Sequence, residues 1–274
     1  MNTPEPMVNA LFPWTAVACY AAATVLIGLR LAGRAVARPL PLLLATAGLA
    51  AHAVALVTGI FTAAGLDLGL ANTLSLVAWQ VTLILLLVTL RQPLETLLLP
   101  LLPLAAVSAP LPLYLSATRV LIERRGWQID AHILLSILAY SLLTVAAFLA
   151  VLLAYQEHRL RSHRPGGLMA RLPPLTFLED LLFQFIGAGF ALLSLALFSG
   201  FAFVHDLFAQ HLVHKTVLSV TAWLVFGTLL WGRSRYGWRG RTALRWTLTG
   251  FVTLMLAYFG SRFVLEVLLG MRWH

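Results

Sequence analysis

Five histidines, His52, His132, His205, His211 and His214, lie inside or at the ends of apolar stretches in a chain otherwise nearly free of ionisable groups there. An imidazole facing hydrocarbon is costly, so histidines at membrane depth point inward and serve a ligand, a proton or a metal. The chemistry they offer is ligation of haem iron. That needs one or two neutral imidazoles from facing helices, an apolar slot for the macrocycle and a polar or basic edge for the propionates. His158, His163 and His274 fall in polar connections or at the chain end and read as solvated.

The elements that must position these residues follow from composition. The chain has 274 residues, 60% hydrophobic and 11% charged, with a mean hydropathy of +0.89, well beyond what a water-soluble core needs. Crossing a bilayer takes roughly 20 apolar residues. Such runs occur at 10–30, 39–62, 71–90, 96–116, 131–156, 177–204, 215–232 and 243–268. The expected fold is all-α: a polytopic integral membrane protein of about eight transmembrane helices, with residues 1–274 forming a single transmembrane domain. The fourth run is the weakest, because Pro100, Pro103, Pro110 and Pro112 each remove a backbone donor. Met1–Pro6 is acidic rather than basic, so the first helix reads as retained rather than cleaved. The polar segment Leu160–Pro174 is expected to separate two helical halves.

Orientation follows from the basic residues. Arg30, Arg34 and Arg38, then Arg91, then Arg159 to Arg171, then Arg233 to Arg245 fall in one set of alternate connections. The positive-inside rule puts that set in the cytoplasm and both termini outside. The net charge of +9 is this bias spread over short loops and not a nucleic-acid footprint, so the partner it implies is the lipid bilayer.

On this topology His132 and His205 sit near the outer face, at the start of the fifth segment and the end of the sixth. His52 lies past the middle of the second, nearer the same side. For His132 and His205, an interfacial or interhelical hydrogen bond is the competing role. Clustering favours ligation, with His132 and His205 as the axial pair and His52 as the alternate. His132, Ser136 and Tyr140 repeat at a spacing of four and share one helix face. Trp79, Trp127, Phe201, Phe203 and Trp223 are candidates to wall an apolar slot or to form an interfacial belt. Arg262 and Lys215, with Arg124 and Arg125, are candidate propionate partners. For Arg262, snorkelling to the headgroups competes.

Other chemistries find little support. There is no Walker-type loop, no HExxH and no Ser/His/Asp arrangement, and no enzyme activity is expected. Cys19 is the single cysteine, so no thiol pair exists for disulfide exchange. Glu179 and Asp180 begin the sixth segment and are explained by its helix N-terminus.

The last third carries a resemblance. Lys215-Thr-Val-Leu-Ser-Val-Thr-Ala-Trp223, Gly237-Trp-Arg-Gly-Arg241, Gly250-Phe251 and Ala257-Tyr-Phe-Gly260 resemble the cytochrome c assembly protein family of CcsA- and CcmC-like haem-handling proteins. Asn72-Thr-Leu-Ser-Leu-Val-Ala-Trp79 resembles its N-terminal signature, and Ala131-His132 through Tyr140 its histidine-bearing helix. The likeness spans about Leu70 to Gly260 and is nearest the compact YpjD/HemX-like branch. It implies that His132 is the family's first external haem-ligating histidine, and that His205 and His52 match histidines of that branch. Three departures stand out. The segment from Phe201 to His214 carries no tryptophan where the family has a tryptophan-rich one, Trp231 replaces a transmembrane histidine, and the family's final external histidine is absent near Leu269. The resemblance implies a bacterial inner-membrane protein that binds haem b and handles it for cytochrome c assembly or haem homeostasis, with other maturation or haem-synthesis proteins as partners. A regulatory or scaffold subunit of haem synthesis and a proton- or metal-coupled transporter are the alternatives.

Overall fold

The computed structural model describes residues 5–62, 65–92, 94–115, 121–122, 127–162, 172–203 and 213–260. These form two compact units, divided between residues 124 and 125.

The first unit contains α1 (Glu5–Leu31), α2 (Pro39–Ile60), α3 (Leu70–Arg91), α4 (Glu95–Ser108) and the single turn α5 (Leu111–Tyr114). Pro100 and Pro103 are accommodated inside α4, but the helix stops before Pro110, and α5 restarts with proline in its first turn. The expected weak segment is thus a helix with a break. α1 packs on α2 and α4, and α3 joins α2 and α4. One end is closed by a small antiparallel ribbon, β1 (Phe61–Thr62), β2 (Gly65–Asp67) and β3 (Leu121–Ile122), with Leu66 paired to both Phe61 and Ile122.

The second unit contains α6 (Trp127–Arg161), α7 (Leu175–Phe203), α8 (Val213–Tyr236) and α9 (Gly240–Met255), which runs into a π turn, Leu256–Gly260. With 35 residues, α6 is about 52 Å long at 1.5 Å per residue. That exceeds a bilayer core of roughly 30 Å, so α6 carries its Glu157–Arg161 end past the apolar layer. The expected halving at Leu160–Pro174 does not hold. α6 and α7, on either side of that segment, form the most extensive helix pair among the described residues, and their backbones run close together. Gly189 on α7 shows how close they come: a Cβ there would lie 2.8 Å from Leu143.

Seven helical segments among the described residues are long and apolar enough to cross a membrane, from Ala10–Leu31 to Lys215–Tyr236. The eighth expected span begins as α9 and its π turn, and residues 261–268 lie outside the described residues. The chain is therefore an all-α polytopic membrane protein.

Candidate functional site

His132 sits in the second turn of α6, half-buried against α7. Its Nδ1 lies 2.9 Å from the Ser199 hydroxyl, and that hydroxyl donates its own proton to the Ala196 carbonyl at 2.9 Å. With the Ser199 proton on the Ala196 carbonyl, Oγ accepts from the ring and Nδ1 carries the hydrogen. That assignment leaves Nε2 with a lone pair, the arrangement that second-shell partners impose on metal-binding histidines. No hydrogen bond from the described residues reaches Nε2. Space for the ring comes from Gly200, where a Cβ would lie 3.0 Å from His132 Cε1. Further along the expected polar stripe, Ser136 donates to the His132 carbonyl at 2.8 Å. Tyr140 is buried against Phe251 and Phe259, with ring centroids 5.7 and 5.3 Å away. The π turn supplies Phe259, and irregular turns of this kind recur at functional sites.

His52 is held differently. It is fully buried in the first unit; Nε2 lies 2.8 Å from Ser75 Oγ on α3 and Nδ1 lies 3.4 Å from the Tyr20 hydroxyl on α1. Gly48, one turn before it, lets α1 approach: a Cβ there would sit 2.9 Å from the Tyr20 ring. To reach a metal, His52 would have to surrender a hydrogen bond and leave a buried hydroxyl unpaired.

The remaining candidates divide between braces and positions outside the described residues. Trp79 donates to the Leu49 carbonyl at 2.9 Å, tying α3 to α2. Trp223 donates to Ser194 Oγ at 2.8 Å and stacks on Phe190, tying α8 to α7. Trp127 and Phe201 are exposed, as an interfacial belt requires. Lys215 is half-buried in the first turn of α8, and His214 precedes it. His205, His211, Arg262, Arg124 and Arg125 lie outside the described residues. Among the described residues, no group of three or more His, Cys, Asp or Glu side chains is placed to hold a metal ion. One protein imidazole on haem iron needs no such group.

Two ion-pair clusters escaped the sequence reading. In the first unit, Glu95 at the start of α4 pairs with Arg30, 3.3 Å away, and with Arg38, which also donates to the Thr89 carbonyl at 3.1 Å. In the second, Glu179 takes Arg239 at 2.7 Å and Arg233 at 3.4 Å. Arg233 also lies 4.5 Å over the Phe183 ring. Hydrogen bonding and attraction from Glu179 raise the Arg239 pKa still further. The helix N-terminus alone therefore does not account for Glu179; two arginines face it. The turn presenting Arg239 depends on Gly237 and Gly240, with φ of +65° and +55°, a region that L side chains rarely adopt. The signal available in the sequence was the Gly-Trp-Arg-Gly run itself.

Comparison with known proteins places this arrangement in a family. Residues 40–269 match the family described as cytochrome C assembly protein. The inner membrane protein YpjD of Escherichia coli (strain K12) is 39% identical over 137 residues, which are 50% of this chain and 52% of that protein. An uncharacterized 28.8 kDa protein of Azospirillum brasilense is 42% identical over 147 residues, 53% of this chain and 54% of that protein. The cytochrome c biogenesis protein CcsA of Guillardia theta is 24% identical over 177 residues, 58% of each chain. The chain thus spans about half the length of the curated relatives it matches. No solved structure matches it. With the family match covering most of its length, the chain belongs to the cytochrome c assembly protein family.

Proposed function

We propose that this chain binds b-type haem at the end of the second unit where α6 begins, and that it handles haem in the bacterial inner membrane for cytochrome c assembly or haem homeostasis. The observation that carries the reading is the state of His132: Nδ1 is occupied by Ser199, Nε2 is open, and the ring stands at a half-buried position on an apolar helix. That is the preparation an axial ligand needs. His205 is the second ligand in this proposal, with Arg262 or Lys215 pairing with a propionate. Bound haem supplies an iron that two neutral imidazoles would hold six-coordinate and low-spin. The protein's own part is binding and orientation, in keeping with a family of assembly proteins rather than enzymes.

The arginine-bearing ends of both units face the cytoplasm in this reading and both termini face outward, with residues 1–274 acting as one transmembrane domain. A reporter fused after Arg171 should behave as cytoplasmic, and external behaviour would overturn the topology.

Detergent-purified protein is expected to show a Soret band, alone or after haem addition. His132→Ala should abolish it, whereas His158→Ala and His163→Ala should leave it unchanged. Full haem occupancy in the His132→Ala/His205→Ala double variant would end the assignment.

A further inference from the structure

A second site of different chemistry lies within the first unit. Below the β ribbon, a cavity of about 260 Å³ is lined by Thr58 and Gly59 from the end of α2, Thr62 from β1, Asp67 from β2, and Asn72 and Ser75 from α3. Ala55, Leu56, Leu70 and Leu113 form part of its apolar wall. At about 30 Å³ per water, it has room for roughly eight waters or one compact organic molecule. It is below the usual range of cofactor pockets and too small for a haem macrocycle.

The polar groups of this cavity are almost all acceptors. Asn72 is only 7% exposed, yet its Oδ1 has no hydrogen-bond partner. Its orientation is not arbitrary, because Nδ2 donates to the Asp67 carbonyl at 3.1 Å and a flipped amide would set oxygen against oxygen. Gly59 makes room for this oxygen: a Cβ there would lie 3.4 Å from it. Asp67 is 8% exposed. One carboxylate oxygen accepts from the Gly69 amide at 3.0 Å, and the other takes no hydrogen bond from the described residues. Thr58 and Thr62 have committed their protons to the Val54 and Gly65 carbonyls, at 3.0 and 2.8 Å, so each offers only lone pairs. Among the described residues, no arginine, lysine or histidine lines the cavity. A nearly buried carboxylate facing a space without a cation is costly unless something positive occupies it. The dipole of α3 already has Asp67 at its N-terminus, and the carbonyl end of α2 adds negative potential on the opposite wall.

We propose that this cavity binds a small organic cation carrying a primary ammonium group. The three N–H donors of an ammonium match the Asp67 carboxylate, the Asn72 carbonyl and a threonine hydroxyl, while the apolar wall takes the carbon body. A bare metal ion would leave that wall unused. Behind the site, Ser75 links the cavity to His52, which gives the buried histidine a reason to be there that does not involve iron. The proposal stands apart from haem ligation and survives or fails without it.

The test is calorimetric titration of the full chain in detergent or nanodiscs with n-butylammonium at fixed ionic strength, alongside n-butanol, Na⁺, K⁺ and Ca²⁺. Saturable binding of butylammonium is expected, weakened about tenfold or more in Asp67→Asn and blocked in Ala55→Leu. The Ala55→Leu variant fills the cavity without touching the polar groups, so the proposal stays testable if Asp67→Asn does not fold. Equal binding of n-butanol would mean an apolar hole and overturn it. Binding of a metal ion in place of butylammonium would overturn the ligand class, and absence of binding by every probe would overturn the site.

Discussion

Each unit places one histidine of a membrane helix against a serine of its neighbour, and the two histidines differ in what remains after that bond. His52 gives both nitrogens to Ser75 and Tyr20 and is fully enclosed. His132 gives one nitrogen to Ser199, whose proton is already spent on Ala196, and stands half-open at the end of its helix. The same residue type is thus left in two states, separated by one hydrogen bond and by burial. A fully satisfied buried network specifies packing; an oriented imidazole with a free lone pair is what the proposed haem ligation requires.

The comparison breaks most easily at the histidines. His132→Ala should eliminate the Soret band while costing about 1 kcal/mol of stability, since it removes one half-buried hydrogen bond. His52→Ala should leave the spectrum intact and cost about 2–4 kcal/mol, because it opens a cavity and strands two hydroxyls. Haem titration and denaturation in detergent read the two effects separately. Loss of haem in His52→Ala with retention in His132→Ala would reverse the roles.

The arginine-bearing ends offer a second contrast. Glu95 is met by Arg30 and Arg38 through their Nε atoms, whereas Glu179 receives a forked set from Arg239 and a further contact from Arg233. The Glu179 side chain is 5% exposed and that of Glu95 11%. Breaking a buried pair costs several kcal/mol, but the arginines here are partly solvated, which screens the loss. Glu179→Gln is expected to cost about 2 kcal/mol, and Glu95→Gln less, by thermal denaturation. A larger loss at Glu95 would show that the bidentate geometry does not govern these clusters.

The serines come next. Ser199→Ala frees the His132 ring to rotate and exchange tautomers, and second-shell losses of this kind weaken metal affinity about 10–100-fold. Ser75→Ala should leave haem affinity unchanged and cost about 1 kcal/mol. Equal haem affinity in both variants would remove the argument that Ser199 orients the ligand.

Much of this fold was legible because a bilayer demands long apolar runs, and the runs at 39–62 and 71–90 became α2 and α3 almost residue for residue. The prolines at 110 and 112 marked a real break. The ribbon was not legible, since strands of two and three residues carry no periodicity. Neither was the division between the units, because a long polar loop says nothing about whether the helices beside it pack together. Of the site, the stripe His132-Ser136-Tyr140 could be read from its spacing. Ser199, 67 residues from His132, could not, because only the packing of α6 on α7 brings it there. The arginine clusters were hidden for the same reason: charge at the start of a helix has a local explanation, and the tertiary partner leaves no local trace.

The smallest expected effects come from two glycines and are opposite in kind. At Gly48 a Cβ would meet the Tyr20 ring at 2.9 and 3.0 Å and Cys19 Cβ at 3.1 Å, with helix on both sides and nothing able to give. Gly48→Ala should therefore lose about 1 kcal/mol through overpacking with no change in the haem spectrum. At Gly200 a Cβ would meet a single close atom, His132 Cε1 at 3.0 Å, and the imidazole can give by a few tenths of an ångström. Alanine inside a helix also recovers up to about 1 kcal/mol of propensity, so Gly200→Ala should be close to neutral for folding. The displaced ring, however, is the proposed ligand, so a shifted Soret maximum and a few-fold weaker haem affinity are expected without loss of stability. An unchanged spectrum in Gly200→Ala, with His132 shown by mutation to be required, would mean that haem approaches the ring from a direction the α7 contact does not control.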